Sequence, residues 1–517
     1  MQNIFKKPYF KLVLILLLIV LVFFAVQKSS NNKDEIINEN NSVDSVDSNY
    51  KWKVVSNNDR IKDYKYNFDL ALNVDNMTMD GILDFTYYNN NDVSMDELVF
   101  YLYANSYAKE EYHAIEEEHF DLGYPNGFSS GSIEIKSVDI EGGGSYEVTG
   151  NQDHLLEVNL NNKVNPSKST NVRIEYTVTI PNSYGRFGYG NETISIVNCN
   201  PIMAVYDEDK GYYDYEYNSI GDPFFSECAD YTANITVPKK YLVAPTGTIL
   251  DKIYSDEMVT YVIDGENRRD FGFVTSDKFN VLSKDINGVR VNSYSFTSQK
   301  VNEKALEIAV DSIDVFSSKF GEYPYKTFNV VESNFFIGGM EYPGMVMIDD
   351  SYYTPIHGRI MEMIIVHEVA HQWWYGQVGN DQIAEPWLDE ALATFSERVY
   401  YEHVYPDEYK DLIFNHVDSD FLGYNKRLEK DDTRIDMNTL EYDDEYSLVV
   451  YGFGGWMIDD LRDEIGEEAF YKALNLYLEN NLFQIATRED LERAIEDVTG
   501  EDITSWFDEN LQVQVGY

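Results

Sequence analysis

Residues 367–395 read HEVAHQWWYGQVGNDQIAEPWLDEALATF, and the spacing of three residues within them decides the reading of the chain. On a helix, positions i and i+4 lie on one face, so His367 and His371 can present two imidazoles to one metal ion. Glu368 follows the first ligand and is placed to reach a water at the metal instead of the metal itself. Eighteen residues after His371 comes Glu390, within Trp387-Leu388-Asp389-Glu390, as the third ligand. Two His and one Glu leave one position of a tetrahedral zinc open, as a catalytic site requires and a structural one does not. Met361, Ile364, Ile365, Val369 and Ala370 form an apolar helical stripe around the first pair of ligands. Leu392, Phe395 and Val399 do the same in a second helix running from Leu388 to Val399.

The same run resembles the signature of the membrane-alanyl aminopeptidase family of zinc peptidases, in the gluzincin clan with its thermolysin-like catalytic domain. Trp373, Trp374, Gly376, Val378 and Trp387 occupy positions that the family fills in the same way. Thermolysin itself fits less well, because its glutamate ligand sits in a different local motif. Upstream, Gly338-Gly339-Met340-Glu341-Tyr342-Pro343-Gly344 resembles the family's substrate-binding edge strand, with Tyr342 where Asn is usual. The resemblance implies that Gly338, Gly339, Met340 and Glu341 bind substrate and that Glu341 holds its free α-amino group. A carboxylate in a closed pocket suits an ammonium, through a charge-assisted hydrogen bond. Downstream, Tyr451-Gly452-Phe453-Gly454-Gly455 falls 61 residues after Glu390, with Phe453 in place of the family's Lys. The resemblance implies that Tyr451 stabilises the oxyanion; Tyr446 is the competing candidate among 42 tyrosines. It also implies one Zn2+ per chain, with Glu368 as general base acting on water.

The leading expectation is therefore a zinc aminopeptidase acting on peptides. One alternative is a zinc endopeptidase on the same scaffold, with Glu341 unused for amine binding. Another is a catalytically weak surface-binding protein that keeps the fold.

Around this segment the 517 residues divide by character. Residues 1–11 carry Lys6, Lys7 and Lys11 and read as a cytoplasmic N-terminus. Residues 12–26 are unbroken apolar, and with the lysines before them they read as a signal anchor in an N-inside orientation. A cleaved signal with secretion is the alternative. Residues 27–49 are polar, without apolar periodicity, and read as a disordered tether. From 50 to 295 strand alternation recurs, as in Phe68, Leu70, Leu72, Val74 and in Val172, Ile174, Tyr176, Val178, Ile180. A third run is Tyr231, Ala233, Ile235, Val237, and the whole predicts an all-β domain. Residues 296–517 read as the helical, thermolysin-like catalytic domain, with a helix over 301–320, a strand at 328–331 and a Thr487–Asp490 capping box. The expected class is thus a multidomain α+β protein. With no segment resembling the helical C-terminal domain of larger family members, its cleft is expected to be comparatively open.

Formal net charge is −50, with 90 acidic against 40 basic residues, which excludes a phosphate-backbone partner and leaves nucleic acid out. The expected partners are peptides and, through the N-terminal segment, a membrane, with the catalytic domain extracytoplasmic. Cys199 and Cys228 fit either one disulfide or two buried thiols.

Overall fold

The computed structural model describes residues 64–413, 433–442 and 445–513. The expected anchor at 12–26 and tether at 27–49 lie outside the described residues. Among the described residues no helix is long and apolar enough to cross a membrane.

Period-two alternation builds the first half. Strand Tyr64–Asn73 buries every second residue, with Tyr66, Phe68, Leu70 and Leu72 inside. It lies in a seven-stranded sheet, parallel to Ala229–Pro238 on one side and antiparallel to Thr78–Tyr88 on the other. Two four-stranded sheets cover it, one through Met95–Tyr101 and Leu155–Val164, the other through Ile194–Val197 and Gly272–Ser276. Their inner faces share one core, in which Tyr66, Phe68, Tyr231 and Phe271 stack in a row. Cys199 and Cys228 are buried thiols, with no disulfide between them.

A five-stranded sheet then joins the two halves. Its order is Asn280–Ile286, Val289–Ser295, Thr327–Ser333, Met345–Asp349 and, at the edge, Gly339–Met340. One face sends Val331, Met340, Met345 and Met347 into the β-rich core. The other sends Val291, Phe328, Val330, Val346 and Ile348 into the core of the helical half. Both faces are thus covered, and residues 345–348 of the fourth strand read as a continuous apolar run, not an alternating one. Strands 280–286 and 289–295, which precede the expected boundary at 295/296, belong to this sheet. Strands 280–286 and 289–295 carry ordinary alternation, so the pattern does not disclose that they pair with the catalytic half's strands.

Three helices pack on that second face: α1 (Gln299–Phe320), α2 (Gly358–Ala370) and α3 (Trp387–Val404). Helix α1 stops at Gly321, whose φ of 125° suits glycine. Further on, α4 (Gly454–Ile465), α5 (Glu467–Asn480) and α6 (Arg488–Thr499) complete the helical half. Thr487 and Asp490 form the expected capping box at the start of α6.

Arg269, 2 % exposed, ties the halves together where the chain turns after α2. Its guanidinium donates to the carbonyls of Ser226 (2.7 Å), Tyr375 (3.1 Å) and Gln484 (3.1 Å). Next to it Tyr375 holds a left-handed φ of 116°, a strained state for a non-glycine residue, and donates its hydroxyl to Asp270. Because Arg269→Met would leave the buried Ser226 and Tyr375 carbonyls without their donor, while the Gln484 carbonyl keeps the Gly379 N–H, it is expected to cost about 3 kcal/mol of stability. Equilibrium denaturant unfolding measures this, and a loss under about 1 kcal/mol would show that those carbonyls find other partners.

Candidate active site: a buried His-His-Glu triad

Helix α2 ends on the metal-binding motif. The backbone N–H of His371 still donates to the carbonyl of His367, so the two imidazoles emerge on one face as the i, i+4 spacing requires. Helix α3 brings Glu390 against them. His367 Nε2 lies 3.1 Å from Glu390 Oε2, His371 Nε2 lies 3.2 Å from the same oxygen, and the two Nε2 atoms are 3.1 Å apart. Three donors about 2.0–2.1 Å from a tetrahedral zinc would stand roughly 3.3 Å apart, so the triangle fits that ion. The remaining ring nitrogens are committed elsewhere. His367 Nδ1 donates to Glu397 Oε1 at 2.8 Å and His371 Nδ1 to the carbonyl of Trp374 at 2.9 Å. Those contacts fix the tautomers and aim both Nε2 lone pairs at the centre of the triangle.

Within the triad the carboxylate and the imidazoles act on one another's charge. Burial alone would raise the Glu390 carboxyl, but His371 and His367 hold it well below the usual carboxylate range. Burial disfavours the charged His371, yet Glu390 outweighs it and pushes the imidazole up to about 10. His367 is raised well above its ordinary value against the same burial, by Glu390 and Glu397.

Glu368 sits beside this triangle, buried, and burial pushes its carboxyl up to about 7 against the opposing pull of His367 and His371. Its carboxylate lies over the edge strand. A Cβ added at Gly339 would fall 2.1 Å from Glu368 Oε1, so only glycine permits this approach. Gly338, at φ 105°, turns the chain into the strand.

The edge strand carries Glu341 into the same pocket. Gln372, next after the second ligand, registers it: its amide donates to the carbonyls of Glu341 (3.2 Å) and Tyr342 (3.3 Å) and accepts from Gly344 N (2.7 Å). Burial, reinforced by Asp222, raises the Glu341 carboxyl well above its ordinary value. Met340 turns its side chain into the core, where its sulfur meets Arg186 Nε at 3.1 Å, so this member of the predicted set meets the cleft through its backbone. Tyr342 is fully buried, and its departure from the family's Asn alters the floor under the strand and not its open edge.

Tyr451 lies in a π-helical stretch, Ser447–Phe453, that runs into α4. Such stretches recur at functional sites. Its hydroxyl donates to Glu390 Oε1 at 2.6 Å and its ring stacks on His367 with centroids 5.6 Å apart. Tyr446, the competing candidate, packs edge-on against Tyr451, and its buried hydroxyl makes no hydrogen bond among the described residues. Of the two phenols it is Tyr451 that touches the triad.

Several residues here escaped the sequence reading. Glu397 stands seven positions after Glu390, two helical turns on, and that spacing was its available signal. Asp222, from the β-rich half, is paired with Arg186 at 2.5 Å and faces Glu390 and His371 electrostatically. Asp389 is pushed up to about 7 by burial and by neighbouring Glu390. No local pattern marks Asp222, because its role depends on how two halves of the chain meet.

Taken together, the two helices and their donor set form a candidate zinc site of two histidines and a glutamate. Residues 304–510 match the family model described as the Peptidase family M1 domain. The chain is similar to that family over those residues, and its His-His-Glu donor set fits Zn2+. It is 28% identical over 253 residues to aminopeptidase N of Lactococcus lactis, a match covering 46% of this chain and 29% of that one. It is 26% identical over 231 residues to aminopeptidase M1-A of rice, Oryza sativa, covering 42% and 26%. The matched segment thus spans less than a third of these curated relatives. Among solved structures, the M1 zinc metallopeptidase of Deinococcus radiodurans superposes with a TM-score of 0.61 over 88% of this chain and 95% of that one. At 16% identity that likeness establishes the fold.

Two outcomes follow for metal binding. Glu397→Ala, which frees the His367 ring, is expected to weaken zinc affinity roughly 10- to 100-fold in a chelator competition; unchanged affinity would show that the contact does not orient the ligand. Because the metal-free imidazoles carry raised pKa values and zinc requires them neutral, binding is expected to release protons and to tighten as pH rises. Calorimetry in buffers of different ionisation enthalpy counts those protons, and none released would contradict the assignment.

Proposed function

We propose that the protein is a zinc aminopeptidase that removes residues from the free amino terminus of peptides. The observation that carries this reading is the placement of Glu341, buried one residue beyond an edge strand whose Gly339 lies against Glu368. A peptide laid along that strand, with its ammonium at Glu341, has its first peptide bond at Glu368. When bound, zinc polarises the scissile carbonyl and lowers the pKa of the attacking water. Glu368, whose carboxyl is poised near neutrality, accepts the proton of that water and passes it to the leaving amine. Tyr451, already at the triad, offers its hydroxyl where negative charge develops on the carbonyl oxygen. Glu341 binds the ammonium through a charge-assisted hydrogen bond and sets cleavage after the first residue. A solved M1 zinc metallopeptidase mutant in this fold class is bound to a Tyr-Ser-Ala substrate, which is in keeping with a peptide as substrate here.

We further propose that the catalytic region is held outside the cytoplasm by the apolar run at residues 12–26, supported by the preceding lysines and the polar stretch after it. Carbonate-washed membranes should retain the protein, and protease added to intact cells should remove its catalytic region. A shortened N-terminus in the soluble fraction would instead indicate a cleaved signal.

Glu368→Ala is expected to keep zinc and lose roughly 100- to 10,000-fold in kcat; full activity would remove Glu368 from the base role. N-acetylation of a good peptide substrate is expected to abolish its cleavage, and Glu341→Ala to impair cleavage of the free-amine peptide alone. Equal cleavage of blocked and free peptides by the wild type would replace this reading with an endopeptidase.

A further inference from the structure

The amine anchor does not stand by itself. Glu341, His371 and Asp389 each bring a donor atom to within 4.8 Å of the others, so two carboxylates are crowded into one buried pocket. Between them lies Gln382, 2 % exposed. Its side-chain nitrogen is 3.1 Å from Glu341 Oε1 and 2.8 Å from Asp389 Oδ2. An amide nitrogen carries two hydrogens, so one serves each carboxylate. Asp389 has other support: Asn380 Nδ2 and its neighbour's backbone, Glu390 N, each donate to its Oδ1 at 3.0 Å. Among the described residues Glu341 has no such second side-chain donor, and Gln382 fixes its Oε1. The other end of the amide, Gln382 Oε1, is buried and has no partner among the described residues. Being bonded to the same carbon as the nitrogen, that oxygen lies in the same pocket as Glu341.

The backbone beneath is rigidly held. Asp381 accepts from the N–H groups of Ile383 (3.1 Å) and Ala384 (3.0 Å), and Tyr215 of the β-rich half donates to its second oxygen at 2.8 Å. Gln382 is therefore presented from a braced turn.

We infer that Gln382 is the positioning residue of the amine site: its N–H groups hold Glu341 in place and apart from Asp389, and its unpaired carbonyl gives the incoming ammonium a second acceptor. An ammonium brings three N–H donors and no acceptor, so a carboxylate oxygen with an adjacent amide oxygen is a matched receptor. The inference rests on the aminopeptidase reading above and adds to it how substrate charge is recognised.

The test uses the zinc-loaded full chain with Gln382→Met, which keeps the length of the side chain and removes the amide. Gln382→Leu serves the same comparison if the first variant folds poorly. Zinc content and thermal midpoint are measured alongside. KM for an aminoacyl amide is expected to rise about tenfold or more, the usual scale for lost hydrogen bonds to charged groups, with kcat changed less than about threefold. Inhibition by L-leucine, which carries the ammonium, should weaken by the same factor, while inhibition by N-acetyl-L-leucine should not move. A merely structural lesion would weaken both, and that result, or an unchanged KM and unchanged L-leucine inhibition, overturns the inference. If L-leucine and N-acetyl-L-leucine inhibit the wild type equally, the aminopeptidase reading itself falls, and the role of Gln382 falls with it.

Discussion

Like charges buried together are the constraint on which this structure depends. Asp222, Glu341, Glu368, Asp389 and Glu390 are all nearly or fully buried and act electrostatically on one another. Such a cluster is costly unless cations accompany it or protons neutralise it. The protein sets the Arg186 guanidinium against Asp222 and the His367 and His371 imidazoles against Glu390. The remaining negative charge is what a divalent ion and a substrate ammonium would compensate. Stability and function thus pull in opposite directions here, and the metal and the substrate reconcile them.

That constraint explains why the β-rich half is part of the site and not an appendage. Asp222 and Arg186 come from it, and Arg186 also reaches the sulfur of Met340 behind the edge strand. Arg269 and Asp270 grip the strained turn at Tyr375, the residue after Trp374, whose carbonyl contacts His371. The shared five-stranded sheet makes the coupling rigid, because one face belongs to each core. A change at that sheet would therefore be felt by Glu341 and by the zinc-binding helices together.

Much of this was legible in the sequence, for a local reason. His367, Glu368 and His371 are fixed by helical periodicity, so their spacing carries their geometry, and Glu390 on the next helix was legible from the motif that follows them. The alternation of Phe68, Leu70 and Leu72, or of Val172, Ile174 and Tyr176, carries the β-rich core in the same way. What the sequence hid is non-local. Strands at 280–295 look like any others until their pairing partners are seen. Gln382 meets Glu341 41 positions away, Asp222 meets Arg186 36 away and Arg269 meets Gln484 215 away, where no periodicity applies. Tyr446 and Tyr451 were separable only in three dimensions, by which hydroxyl reaches Glu390.

The central claim is that this site measures from a free amino terminus. Incubating the zinc-loaded protein with one unmodified peptide of about ten residues, and following the products by mass spectrometry over time, tests it most directly. The account predicts a ladder of products, each shorter by one residue at the amino end, that stops forming when zinc is chelated. Internal fragments appearing before any such ladder would contradict it.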